Sequence, residues 1–156
     1  MADMISLLGG TFLLAAAPAP ADTSDPSAHA APAVYRQECG SCHVAFPPGM
    51  LAADHWRALM AGLSRHFGEN AEVAEPARRE IEDFLVGSAG GTRRFASRSE
   101  PPRLTTTTWF RRTHGATRPL FTDKRVGSAA NCLACHPGAE TGRYDGLAPW
   151  VRHPAR

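Results

Sequence analysis

The stretches Cys39-Gly40-Ser41-Cys42-His43 and Cys132-Leu133-Ala134-Cys135-His136 are two copies of one pattern, Cys-x-x-Cys-His, and together they use every cysteine of the 156-residue chain. On a helix, positions i, i+3 and i+4 lie on one face. Helical geometry would therefore point Cys39, Cys42 and His43 the same way, and likewise Cys132, Cys135 and His136. The fold has to be built around whatever two thiols and an imidazole hold at each of these places.

Three chemistries use paired cysteines. A thioredoxin-like Cys-x-x-Cys sits in a βαβ setting, and nothing in this chain alternates in the manner of a strand. A four-cysteine zinc site would join pairs about ninety residues apart, far beyond the usual ribbon spacing. Structural disulfides would not require histidine at the same following position twice. Covalent haem requires all three residues: the thiols add to the vinyl groups at the porphyrin edge and the histidine reaches the iron, which makes Cys-x-x-Cys-His the sign of c-type attachment. The reading is two c-type haems (iron), bound through thioethers, with His43 and His136 as proximal ligands. The thiols are consumed in thioethers, so no disulfide is expected despite an oxidising compartment.

Composition agrees. Hydrophobic residues make up 43% of the chain, but the large ones are sparse, with seven Phe, three Trp and two Tyr among 13 Pro and 14 Gly. A core of such side chains alone is thin for this length, and an apolar cofactor would help to fill it. The apolar run from Met4 to Ala17 is too short to span a bilayer and is followed by Ala19-Pro20-Ala21, small-x-small. Residues 1–21 thus resemble a signal peptide cleaved near Ala21, although no basic residue precedes the run and Asp3 stands there. The alternative is an uncleaved anchor. Export would place the protein in the periplasm.

The rest reads as a mostly α-helical domain over 34–156, behind a polar, Pro-rich disordered leader at 22–33. The first helix is expected to carry the first motif. A second is expected over about 54–67, with Trp56, Leu59, Met60, Leu63 and Phe67 as its apolar stripe and Asp54 as its cap. A third should start at Glu75-Pro76 and end at Gly87. Residues 88–108 form a connector, either an ordered surface loop or a link between two small lobes. A short helix is expected to hold Trp109, Phe110 and His114, and a last one "SAANCLACH", with Ser128 as its cap.

Charge is divided unevenly. Residues 22–91 hold five Arg against ten Asp or Glu, and residues 92–156 hold eleven Arg and one Lys against four acids. This asymmetry suggests a salt-sensitive encounter with a charged partner; the competing reading is arginines solvated beside cofactor carboxylates. No recognition motif for nucleic acid accompanies the arginines.

The far side of each iron decides the function. A strong sixth ligand leaves a haem able only to pass electrons, whereas an open position lets it bind a small molecule. No Met follows His136, while Met50 and Met60 lie close after His43, Met60 within an apolar stripe. Among the remaining histidines, His29 falls in the leader and His153 near the chain end. His55 and His66 would be roughly 16 Å apart along one helix, so one haem cannot use both. His66 lies beside apolar residues and His114 beside Trp109 and Phe110, and these two are the favoured distal ligands. Trp56, Phe67, Trp109 and Phe110 are candidates for packing on the rings.

The stretches "YRQECGSCHVAFPPGML", "HWRALMAGLSRHFGENA", "TWFRRTH" and "VGSAANCLACHPGAETGRYD" are similar to the small bacterial dihaem cytochromes c, over roughly Val34 to Asp145. The resemblance implies a periplasmic electron carrier, not an enzyme, in which short helices and long loops wrap two low-potential bis-histidine haems with metal ligands His43, His66, His114 and His136. It implies redox partner proteins, among them a high-spin monohaem cytochrome c and an upstream membrane donor, and no small-molecule substrate. Proximity in sequence favours His66 with His43 and His114 with His136, without establishing either pairing. The alternative is a dihaem enzyme or gas sensor with one five-coordinate haem acting on peroxide, oxygen or nitric oxide.

Overall fold

A computed structural model describes residues 31–152. The expected signal peptide, most of the leader, His29 and His153 lie outside the described residues. The described chain holds six short α-helices: α1 (Ala33–Cys39), α2 (Ala53–Ala61), α3 (Ala77–Gly87), α4 (Thr92–Phe95), α5 (Thr108–Thr113) and α6 (Pro149–Arg152). Single 3-10 turns and loops join them, and the only β pairing among the described residues is two isolated bridges, Ala52 with Gly90 and His66 with Glu69. The fold is mostly α, as read from the sequence. No helix among the described residues is long and apolar enough to cross a membrane.

The core lies in the first half. Helices α2 and α3 pack on each other and α1 on α3. Between them Tyr35, Leu51, Trp56, Met60, Ile81 and Leu85 form one buried cluster. Leu51 and Ile81 are fully buried, and each such side chain stabilises by about 1.5–3 kcal/mol relative to exposure. Met60 is core, as its place in the stripe suggested. Two polar atoms enter this region with partners: the Tyr35 hydroxyl donates to the Phe46 carbonyl at 2.5 Å, and Trp56 Nε1–H donates to the Pro48 carbonyl at 2.8 Å. Ala31 is buried in the same cluster, so order begins before Val34 and the end of the expected leader belongs to the fold.

Several helices are shorter than their apolar patterns suggest. Helix α1 stops at Cys39, not beyond the first motif, with Gly40 as its C-cap, where a Cβ would run into the Arg36 carbonyl oxygen. Helix α2 ends at Ala61 rather than Phe67, with Gly62 as C-cap and a 3-10 turn over Leu63–Arg65 following it. Phe67 therefore leaves the stripe and is 40% exposed. Pro76 is the N-cap of α3, not its first residue. The second motif forms only one 3-10 turn, Cys132–Ala134. Pro137 lacks an N–H and disfavours helix in the residue before it. Upstream, Asn131 Nδ2–H donates to the Val126 carbonyl at 2.9 Å, which fixes a non-helical entry.

The connector is tied to the first half. Gly90 N–H donates to the Leu51 carbonyl at 2.9 Å and Ala52 N–H to the Phe95 carbonyl at 3.2 Å. Ser97 N–H donates to His55 Nδ1 at 2.9 Å. Ser97 Oγ, Ser99 Oγ and Thr106 Oγ1 then bond among themselves, and Arg103 N–H closes the loop on Ser97 Oγ. Helix α4, on the connector, packs against α5 through Phe95 and Trp109, whose rings lie 5.7 Å apart.

Candidate functional site

The structure brings the four favoured histidines together in two pairs. The rings of His43 and His66 lie 6.3 Å apart between centroids with planes at 26°. Those of His114 and His136 lie 6.2 Å apart with planes at 85°. These are the partners that sequence proximity favoured. Two imidazoles bound on opposite sides of one metal, with metal–nitrogen bonds of about 2 Å, have centroids roughly 6 Å apart. The residues thus fit a group one atom thick, such as a porphyrin with its iron, in each gap.

Each imidazole reaches its place by local structure. His66 sits where the 3-10 turn after α2 runs into a tight reversal, His66-Phe67-Gly68-Glu69, closed by the bond from Glu69 N–H to the His66 carbonyl at 3.1 Å. Both central residues are left-handed, Phe67 at φ 55° and Gly68 at φ 107°. Glycine accepts this freely and phenylalanine does not, and such strain concentrates at functional sites. Arg103, from the connector, lies 4.0 Å over the Phe67 ring, and Phe67 meets His66 edge-on at 4.8 Å. His114 is the C-cap of α5, and its ring stacks on Phe110 at 4.1 Å.

The second ring nitrogens show which atom is left to a metal. His43 Nδ1–H donates to the Val44 carbonyl at 2.7 Å, His114 Nδ1–H to the Phe110 carbonyl at 3.2 Å and His136 Nδ1–H to the Gly146 carbonyl at 3.2 Å. A bond of this kind fixes the tautomer and leaves Nε2 as the lone-pair donor, as in metal-ligating histidines. Burial holds the His66 ring below its ordinary pKa, reinforced by His43 and then Arg103. Burial likewise lowers His114, partly opposed by its bond to Phe110. Both shifts favour the neutral form, the one that ligates.

The thiols share this setting. Burial pushes Cys39 and Cys132 each up to about 11 and raises Cys135 as well. A cleft of about 350 Å³ is lined by Cys42 and His43 of the first motif together with Leu133 of the second and Glu140 beyond it. The two motifs thus face a common space, which their separation in sequence does not reveal.

Of the other singled-out residues, Trp56 is core, while Trp109 stands edge-on to His114 at 6.2 Å. His55 is turned to Ser97, and no ring contact or hydrogen bond joins it to either imidazole pair. Sequence reasoning missed Phe46, stacked on His43 at 4.8 Å, and Tyr144, edge-on to His136 at 5.6 Å. Phe46 stands three residues after its histidine, and that proximity was the available signal.

The sequence matches the family model for dihaem cytochrome c over residues 35–144. Two solved structures are similar. The diheme cytochrome type c of Shewanella baltica OS155 is 38% identical, with 72% of this chain and 86% of that one covered and a TM-score of 0.62. DHC purified from Rhodobacter sphaeroides is 39% identical, with 77% of this chain and 96% of that one covered and a TM-score of 0.58. A search of curated proteins returned no match. A family match across both Cys-x-x-Cys-His motifs, joined to imidazole pairs spaced for one metal each, has one conclusion: the chain belongs to the dihaem cytochrome c family and carries two c-type haems.

Proposed function

We propose that this haem-carrying electron-transfer protein is a periplasmic carrier with two low-potential bis-histidine haems, one held by His43 and His66 and the other by His136 and His114. The observation that carries the reading is the pair of imidazole gaps, 6.3 and 6.2 Å, three of whose four rings, those of His43, His114 and His136, are anchored through Nδ1. Cys39 and Cys42, with Cys132 and Cys135, would hold the porphyrin edges.

When bound, the haems supply reversible one-electron chemistry. The chain's part is to fix and shield them. His66 and His114 close the position a small molecule would need, so no bond to a substrate forms. Histidine in place of methionine on the far side withholds the ligand that raises the potential of a cytochrome c. Phe46 packs on the His43 imidazole, and Phe110 and Trp109 on that of His114. The common cleft of the two motifs supports transfer between the haems. The partners in this reading are another c-type cytochrome and an upstream membrane donor.

Near-infrared magnetic circular dichroism of the oxidised protein, followed by carbon monoxide after reduction, tests this. A bis-histidine band from both haems and no carbon monoxide binding are expected. Two distinct low-spin resonances are also expected, because the ring planes meet at 26° in one pair and 85° in the other. Replacing His66 or His114 by Ala should open one haem each, giving about half the carbon monoxide uptake that both together give. Prompt binding by the unaltered protein would overturn the proposal in favour of an open-site enzyme or sensor.

A further inference from the structure

Residues 92–113 hold six arginines, Arg93, Arg94, Arg98, Arg103, Arg111 and Arg112, against one acid, Glu100. All six are exposed. Among the described residues the ion pairs involve Arg78 and Arg125, so none of the six is neutralised by a side chain. Four of them are carried by two helices that touch. Arg93 and Arg94 are on α4, Arg111 and Arg112 are on α5, and Phe95 packs on Trp109 between the helices. Trp109 in turn meets His114. The patch therefore ends at the distal ligand of the second haem. Arg103 stacks on Phe67 toward the first haem instead.

Haem propionates are the competing explanation for such arginines. Each haem brings only a pair, against four exposed arginines on α4 and α5. Cations exceed the carboxylates a haem could offer them. A cluster of exposed, unpaired cations beside a redox centre raises the local concentration of an anionic partner and orients it.

We propose that the α4–α5 face is a docking surface for an acidic redox protein, one whose carboxylates ring its own cofactor edge, and that it exchanges electrons through the haem of His114 and His136. The proposal rests on the electron-carrier reading above. With a flavoprotein hydroquinone as donor, one electron leaves the flavin, which becomes a semiquinone, and the ferric iron becomes ferrous.

The test uses the full-length holoprotein and an acidic flavodoxin hydroquinone as the probe donor, in stopped flow. Arg111→Glu/Arg112→Glu should slow reduction by about tenfold or more at low ionic strength, with the difference vanishing at high salt. Arg57→Glu/Arg79→Glu makes the same change of charge on the exposed surface of the other half, and less than a twofold effect is expected. Equal slowing by both pairs would mean that only net charge matters and would overturn the proposal. Unchanged rates would overturn it too, assigning the arginines to propionates. Arginine-dependent binding to anionic phosphatidylglycerol vesicles, with no effect on flavodoxin, would overturn it in favour of a membrane surface. Reduction by neutral lumiflavin semiquinone separates the two levels. It should be the same in all variants if the haems are intact carriers. Carbon monoxide binding to the unaltered protein would instead fault the carrier reading itself.

Discussion

His55 shows how a residue's type can mislead at the scale of one side chain. As a histidine in a haem protein it is a natural ligand candidate, yet its Nδ1 accepts the Ser97 N–H at 2.9 Å and ties the connector to α2. Its tautomer is thereby the reverse of those of His43, His114 and His136, whose Nδ1 atoms carry the proton. Replacing His55 by Ala leaves a half-buried N–H without an acceptor, and a loss of about 1 kcal/mol is expected. His55→Asn should restore part of it. Thermal unfolding of the holoprotein measures this, and the low-spin spectrum should not change; a high-spin signal in His55→Ala would show that His55 is a ligand after all. As a favoured candidate His66 was legible from its apolar neighbours, Leu63 and Phe67. Its position off the helix was not, since the left-handed Phe67 that turns it is a residue type that avoids that conformation.

At the scale of the element, α5 is the piece on which the second site hangs. The Thr107 side chain is fully buried, accepts the Phe110 N–H at 3.1 Å and donates to the Leu104 carbonyl at 2.9 Å. It is an N-cap that also closes the preceding turn. Thr107→Ala should cost about 1–2 kcal/mol, and Thr107→Ser far less. Because His114 is the C-cap of the same six-residue helix, the alanine variant should also lower the temperature at which the second haem turns high-spin relative to the first. Simultaneous loss of both low-spin signals would show that α5 is not specific to one site. The element existed in the sequence as an aromatic pair before a glycine, but the cap was hidden in "TTTT", where four threonines present the same chemistry and only the chain's path selects one. The second motif shows the converse: its helical spacing is real, yet Pro137 and the Asn131 bond leave room for a single turn.

At the scale of the molecule, side-chain packing is concentrated in the first half, where α1, α2 and α3 close over Ile81 and Leu51. Ile81→Ala removes atoms from a site with no exposure, and a cost of about 2–5 kcal/mol is expected. Denaturant titration of the holoprotein should show it as a lower midpoint at unchanged slope. A cost below 1 kcal/mol would mean that the haems, not this cluster, hold the first half. The charge asymmetry belongs to the same scale. Composition alone shows that cations outnumber acids from residue 92 on, and only the packing of α4 on α5 brings four of them onto two touching helices.

What the sequence determined by itself is chemical identity. Two Cys-x-x-Cys-His motifs, the supply of remaining histidines and the helical periodicity are local properties of the chain, so the cofactor and the helical class could be read without coordinates, and His66 and His114 could be favoured as candidates for the distal position. What only the tertiary structure decided is partnership. The meeting of His43 with His66 and of His114 with His136, the cleft common to motifs about ninety residues apart, and the turning of His55 toward Ser97 each depend on where loops close. Loop closure is set by glycine and left-handed turns and by single hydrogen bonds, whose energies of about 1 kcal/mol are decided by neighbours distant in sequence.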